Sequence, residues 1–130
     1  MKSILLFAVL LVPLINSCSN GGDIQAEYPF LDQEDDEGAI ALLFSDETDY
    51  DQENDYYDAL ITMQQQHPGM LEKVEIVSKQ QNMLIDHFDV SSYPSLLIID
   101  DMEEQVRVSG ENDFSYIVRE LESEFPLVKR

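Results

Sequence analysis

Sulfur chemistry is nearly absent from this chain, which holds one cysteine, Cys18, and none after it. Basic residues are scarce as well: seven Lys and Arg stand against 27 Asp and Glu, for a formal net charge of −20 over 130 residues. So acidic a surface repels phosphates and anionic headgroups over a Debye length of about 8 to 10 Å, which excludes nucleic acid as a partner and excludes electrostatic docking on a membrane. Long apolar runs are missing too. The longest, Ile4 to Ile15, falls short of the roughly 17 to 25 residues that span a ~30 Å hydrocarbon core. No internal repeat is visible, and the length left after residue 17 suffices for one domain with one modest core.

What is present begins with an address. Lys2, the apolar run, and then Asn16 and Ser17 follow the charged, apolar and small-residue order of a signal peptide over residues 1–17. Ile15-Asn16-Ser17-Cys18 resembles the lipobox of bacterial lipoproteins, with Asn16 departing from the usual small residue. That resemblance implies cleavage before Cys18, a diacylglyceryl group on its sulfur, and an extracytoplasmic protein lipid-anchored to the bacterial cell membrane, with the lipid bilayer as its first partner. Two acyl chains give stable attachment where one is reversible. The alternative is an ordinary signal peptide cut near Ser17 or beyond, which leaves a free thiol.

Residues 18–38 read as an acidic flexible tether. Gly21-Gly22, Pro29 and the block Asp32 to Glu37, acidic at five of six positions, favour an extended, self-repelling segment, with Tyr28-Pro29-Phe30-Leu31 as a patch able to dock. Residues 39–130 read as the domain. Ala39 to Phe44 is an apolar run of strand length, as expected for a strand covered on both faces. A helix is expected from about Glu53 to His67 with Tyr57, Leu60, Ile61 and Gln64 on its apolar stripe, ended by Pro68-Gly69. Leu71 to Val77 predicts a second strand, and Gln80 to Phe88 a short helix with Met83, Leu84 and Phe88 at helical spacing. Ser95 to Ile99, a four- or five-residue loop, and Val106 alternating with Val108 predict a hairpin. Asn112 or Asp113 can then cap a last helix carrying Phe114, Ile117, Val118, Leu121 and Phe125, stopped by Pro126.

The resulting order, β-α-β-α-β-β-α, and the stretch Phe88-Asp89-Val90-Ser91-Ser92-Tyr93-Pro94-Ser95-Leu96-Leu97-Ile98-Ile99 together resemble the thioredoxin superfamily. The resemblance implies an α/β, thioredoxin-like fold of the glutaredoxin-type minimal core, with a four-stranded mixed sheet and Pro94 as a cis-proline. Another small α/β domain of the same element order is the alternative. As a lipid-anchored version, the chain is also similar to small peptidoglycan-associated lipoproteins of Bacillus-type bacteria.

The family's C-x-x-C motif has no counterpart here. Its slot, just beyond the first strand, holds Asp49-Tyr50-Asp51-Gln52. Thiol-disulfide exchange needs a thiolate, and Cys18, far upstream and a thioether once lipidated, does not supply one. No catalytic residue and no cofactor are therefore expected. What the resemblance leaves is a binding role: the residue before the cis-proline, Tyr93, offers its backbone to an extended peptide. Asp49, Tyr50, Asp51, Gln52, Ser92, Tyr93 and Pro94 would line the groove, and an acidic rim selects an unidentified envelope protein or peptide of cationic character. Tyr50, Tyr56, Tyr57 and Tyr93 are further candidates as aromatic anchors or as cover for the edge of the core.

A second reading is a divalent-cation site. Asp46 to Asp58 holds seven carboxylates in thirteen residues, with Asp46, Asp49, Asp51, Glu53 and Asp55 as candidate ligands. Against it, no Gly makes the sharp turn of a calcium loop and Leu60 stands where a bidentate Glu belongs, while acids at a helix start are also ordinary solvated caps. Acidity across the whole chain is equally consistent with a saline or alkaline habitat. His67 and His87 fit helix C-termini better than metal ligation. Ser45, Ser91, Ser92 and Ser95 have no histidine arrangement that would make a hydrolytic triad. An enzyme with chemistry unlike the family's is the remaining alternative.

Overall fold

The computed structural model describes residues 20–33, 38–48 and 50–124. The signal segment 1–17, Cys18 and Asp49 lie outside them, as do Phe125 and Pro126, on which the expected end of the last helix rests. The first strand, β1 (Ala39–Phe44), is buried at every position. β2 (Leu71–Val77) pairs with it in parallel, and β3 (Ser95–Asp100) lies antiparallel on its other side. β4 (Glu103–Ser109) pairs antiparallel with β3, so the sheet order is β2-β1-β3-β4.

Alternation along the strands divides the core into two halves, because successive side chains leave a sheet on opposite faces. Ala39, Ala41 and Leu43 of β1, with Leu96, Ile98, Val106 and Val108, meet α2 (Asn54–Gln66) and α4 (Phe114–Glu124). Ile40, Leu42 and Phe44, with Leu97 and Ile99, pack on the opposite face against Leu84 of α3 (Asn82–His87) and Phe88 just beyond it. The expected order β-α-β-α-β-β-α is therefore present. It is preceded by one more helix, α1 (Asn20–Glu27), and a single 3-10 turn, Pro29–Leu31.

Within residues 20–33 that preceding segment corrects the expectation of a flexible tether over residues 18–38, while the patch Tyr28-Pro29-Phe30-Leu31 docks as it was expected to be able to; residues 18, 19 and 34–37 lie outside the described ones. Ile24 and Leu31 are 3% and 1% exposed and belong to the core half that holds Ile40, Leu42 and Phe44. The physical reason is that α3 alone, six residues long, leaves part of that sheet face to be covered. Polar contacts then fix the arm. The Tyr28 hydroxyl donates to Gln81 Oε1 at 3.0 Å, and Lys73 Nζ donates to the carbonyls of Phe30 and Asp32 at 2.7 and 3.0 Å. Gln33 accepts from the Asp101 amide at 2.6 Å.

Smaller differences have local causes. The buried stripe of α2 is Tyr56, Ala59, Leu60 and Met63, whereas Ile61 is 51% exposed. The helix is thus turned by one position from the expected stripe of Tyr57, Leu60, Ile61 and Gln64, bringing the small Ala59 against the sheet and the Tyr56 hydroxyl to the Gly110 carbonyl at 2.6 Å. α3 starts at Asn82, later than Gln80, and Met83 is exposed. The β3–β4 hairpin is tighter than expected, with Asp101 and Met102 both in the left-handed region at φ 56° and 65°. Such two-residue turns need positive φ at both positions, and here the Gln33 contact braces one without glycine. Asp113 is the residue that caps α4, its Oδ1 accepting from the Tyr116 amide at 2.9 Å. Arg107 reaches from β4 to the carbonyls of Phe88 and Asp89, closing the end of α3 while paired with Glu104 at 2.8 Å. Among the described residues no helix is long and apolar enough to cross a membrane.

Docking of the arm has a measurable cost on removal. Leu31→Ala is expected to lower unfolding free energy by about 2 to 5 kcal/mol, the range for a buried leucine. The urea midpoint measures this, and a residue in a free tether would leave that midpoint unchanged.

Candidate functional site

Register places the candidate residues at one end of the sheet. Phe44, the last residue of β1, stands beside Val77, the last of β2, and beside Ser95, the first of β3. Ser95 in turn faces Ser109, the last residue of β4. The segment after β1, the turn after β2, the Tyr93-Pro94 turn and the start of α4 therefore share this end. The Tyr93-Pro94 peptide bond is cis, as the resemblance implied.

Three of these segments meet at Lys79. Its Nζ lies 5.0 Å from the centre of the Tyr93 ring and 3.8 Å from Asp46 Oδ2. Sequence reasoning passed over Lys79; the signal was there, since it follows the second strand by two residues and so had to emerge beside the first strand's exit. The Asp46 carboxyl is held below its ordinary value by the Thr48 hydroxyl and amide, with Lys79 adding to the effect. Tyr93 is shifted upward, first by burial and then by the Asp46 charge. Its backbone N–H and C=O are hydrogen-bonded to nothing among the described residues. Pro94, by contrast, is buried, and its carbonyl accepts from the Gly110 amide at 2.8 Å.

Of the residues expected in the C-x-x-C slot, Tyr50 is 56% exposed, Asp51 is exposed, and Gln52 is half-buried. They lie in a 3-10 turn, Tyr50–Glu53, that leads into α2. Ser92 is exposed and uses its carbonyl to accept from the Ser95 hydroxyl at 2.7 Å. Ser95 is buried and lies 2.8 Å from the Ser109 hydroxyl, so its oxygen is engaged on both sides. The histidines are elsewhere: His67 follows the far end of α2, 3.4 Å from Glu122, and His87 packs edge-on against Phe88.

The acidic stretch divides by direction. Glu53 is fully buried and its carboxylate accepts from the Ser45 hydroxyl at 2.7 Å, the Asp46 amide at 3.1 Å and the Tyr57 hydroxyl at 2.8 Å. A buried carboxylate requires such donors, since leaving it unpaired is costly. Glu53 therefore ties the end of β1 to the start of α2 and is turned away from the surface where a cation would be held. This removes it from the expected ligand set of Asp46, Asp49, Asp51, Glu53 and Asp55. Among the described residues, no three His, Cys, Asp or Glu side chains form a group able to hold a metal ion. Tyr57 feels the same arrangement. Burial first, then the hydrogen bond to Glu53, push its hydroxyl up from 10.0 to about 12.

That shift has a sign. A pKa raised by folding contributes stability that is complete below pH 10 and lost as pH rises toward about 12. Tyr57→Phe is expected to flatten the alkaline limb of melting temperature against pH between those values, measured by thermal denaturation. Persistence of the full limb in the variant would assign it to other groups.

No protein-family model matches the chain. A curated relative, the Pal-related lipoprotein of Bacillus subtilis, is 30% identical over 69 residues, covering 53% of this chain and 53% of the relative, so the chain spans about half the length of the curated protein it matches. Among solved structures, thioredoxin O2 of Arabidopsis thaliana aligns with a TM-score of 0.59 at 12% identity, over 78% of this chain and 90% of its own. Thioredoxin f2 of Chlamydomonas reinhardtii gives 0.56 at 14% identity, over 76% and 90%. At such identities the likeness speaks to architecture alone. With the four-stranded mixed sheet, the helical layers on both faces and the cis Tyr93-Pro94 turn, the fold of this chain is thioredoxin-like.

Proposed function

We propose that the protein is an envelope lipoprotein, attached to the outer face of the cell membrane through Cys18, whose thioredoxin-like domain binds an extended, cationic peptide or protein segment and performs no thiol chemistry. Similarity to a lipoprotein supports the envelope location. The absence of any cysteine after Cys18 supports the loss of disulfide exchange, because the attacking and leaving groups are both sulfur.

The observation that carries the binding reading is the Tyr93-Pro94 turn. An unpaired backbone N–H and C=O at an accessible turn can extend a strand of another chain, in which main-chain bonds give affinity and flanking side chains give selectivity. The flanks are acidic and aromatic. Asp46, Glu47, Asp51, Asp55, Glu111 and Asp113 belong to this end of the sheet, and so do the exposed Tyr50, Phe114 and Tyr116. Aromatic faces and carboxylates together attract Lys and Arg side chains. Arg119 already stacks on Tyr116 at 5.7 Å, as Lys79 does on Tyr93.

Labelled peptides followed by fluorescence anisotropy test this reading. Extended peptides carrying Lys or Arg are expected to bind more weakly as salt rises, and acidic peptides of equal hydrophobicity are expected not to bind. Tyr93→Ala is expected to weaken binding about tenfold, a loss of ~1.4 kcal/mol. Lys79→Ala is expected to strengthen it, because it vacates both the Tyr93 ring and the Asp46 carboxylate for the incoming cation. Indifference to peptide charge and to both substitutions would sink the binding role. Dithiol-driven reduction of insulin disulfides is expected at the rate of buffer alone, and a faster rate would refute the loss of thiol chemistry.

A further inference from the structure

The arm, the outer strand β2 and α3 enclose a groove whose lining is set by register. Glu75 pairs with Leu42, so its side chain lies on the sheet face that holds Ile40, Leu42 and Phe44 and that the arm covers. Together with Tyr28, Phe30, Gln81 and Leu84 it lines an open groove of about 190 Å³. That is smaller than the roughly 300 Å³ at which pockets for drug-sized molecules begin, and it suits a compact ligand.

Two features of the groove point to a cation. Glu75 is half-buried, and among the described residues its carboxylate has neither a hydrogen bond nor an ion pair. Lys73, two residues earlier on the same strand, is engaged elsewhere: its Nζ donates to the carbonyls of Phe30 and Asp32 and lies 4.0 Å from Glu72. The second feature is aromatic. The Tyr28 and Phe30 rings stand 5.9 Å apart and are tilted by 57°, and a cation within about 6 Å of a ring centre is attracted by its face. Both rings are held in place, Tyr28 by its hydroxyl bond to Gln81 at 3.0 Å and Phe30 by the Lys73 contact to its carbonyl.

The kind of cation follows from the polar groups on hand. A primary ammonium brings three donors to satisfy. Besides Glu75, the lining side chains offer only the Gln81 oxygen and the Tyr28 hydroxyl, and these are bonded to each other. A methylated ammonium brings no such demand and turns apolar methyl groups to the rings. We propose that this groove binds a free cation of the trimethylammonium class, with Tyr28 and Phe30 against its methyl groups and Glu75 balancing its charge. The net charge of −20 favours a ligand that is positive as a whole and disfavours one that carries its own anion. The site shares no residue with the Tyr93-Pro94 turn and does not rest on the peptide-binding reading.

Amide chemical shifts of the full chain, kept in an uncharged maltoside detergent, read the site residue by residue. Choline chloride is expected to give saturable shifts at residues 75–77 and at Gln81, beyond those caused by sodium chloride at equal ionic strength. Glycine betaine and phosphocholine hold the same group beside an anion, and are expected to bind about tenfold more weakly or worse. Glu75→Gln and, as a second variant that retains apolar bulk, Phe30→Leu are each expected to weaken choline binding about tenfold. Unchanged shifts elsewhere in each variant confirm its fold. Shifts that sodium reproduces, or saturable shifts confined to Asp46, Lys79 and Tyr93, overturn the site, as does full affinity in either variant. Phosphocholine binding as tightly as choline overturns the free cation in favour of a lipid headgroup. Ethanolamine binding more tightly than choline overturns the preference for a methylated ammonium.

Discussion

Burial of β1 on both faces is the constraint from which the other elements take their places. Its backbone is satisfied by β2 on one side and β3 on the other, while its side chains divide between two core halves. Each large side chain buried there contributes about 1.5 to 3 kcal/mol only if something covers it. Toward one face the cover is ample, since α2 and α4 are 13 and 11 residues long and pack together. Toward the other, α3 is a helix of six residues, and the remainder is supplied by α1 and the turn at Pro29–Leu31. The arm is held by the core it completes, with Ile24 and Leu31 turned in and Glu27 and Asp32 exposed.

The same strand fixes the chemistry at its far end. Ser45 and Asp46 follow Phe44 directly, so their hydroxyl and amide are placed beneath the start of α2, and Glu53 turns inward to meet them. This carboxylate does for the β1–α2 junction what a side-chain cap does at a helix start, from the opposite direction. The turn carrying Asp51 is held from below, which leaves its outward side free to face solvent together with Tyr50. An organised turn beside a cis-proline turn thus persists without the sulfur atoms found there in thiol-active relatives of the fold.

The strands were legible because their signals are local. Ala39 to Phe44 and Leu96 to Ile99 are continuous apolar runs bounded by polar residues, and Val106 and Val108 alternate across Arg107. Asp113 was legible as a cap. Of the arm, only the patch Tyr28-Pro29-Phe30-Leu31 was legible; Ile24 was not, because it stands alone between glycines and polar residues, and what recruits it is the uncovered half of a sheet assembled from residues further along. Glu53 was equally hidden among six neighbouring acids, since its inward turn depends on Ser45, eight residues earlier, and Tyr57, four later. Of the expected groove residues, the structure ties Tyr93 to Asp46 through Lys79, a residue that charge counting treated only as one of seven bases.

β2 carries a further consequence. It is an outer strand with a single neighbour, and an open strand edge is a template for adding strands from another copy. Such an edge, left bare, favours filament growth between copies. Glu72, Lys73 and Glu75 place three charges within its seven residues, and Lys73 is already drawn to the arm's carbonyls. Together with the strongly negative surface, they oppose edge-to-edge pairing between copies of the chain.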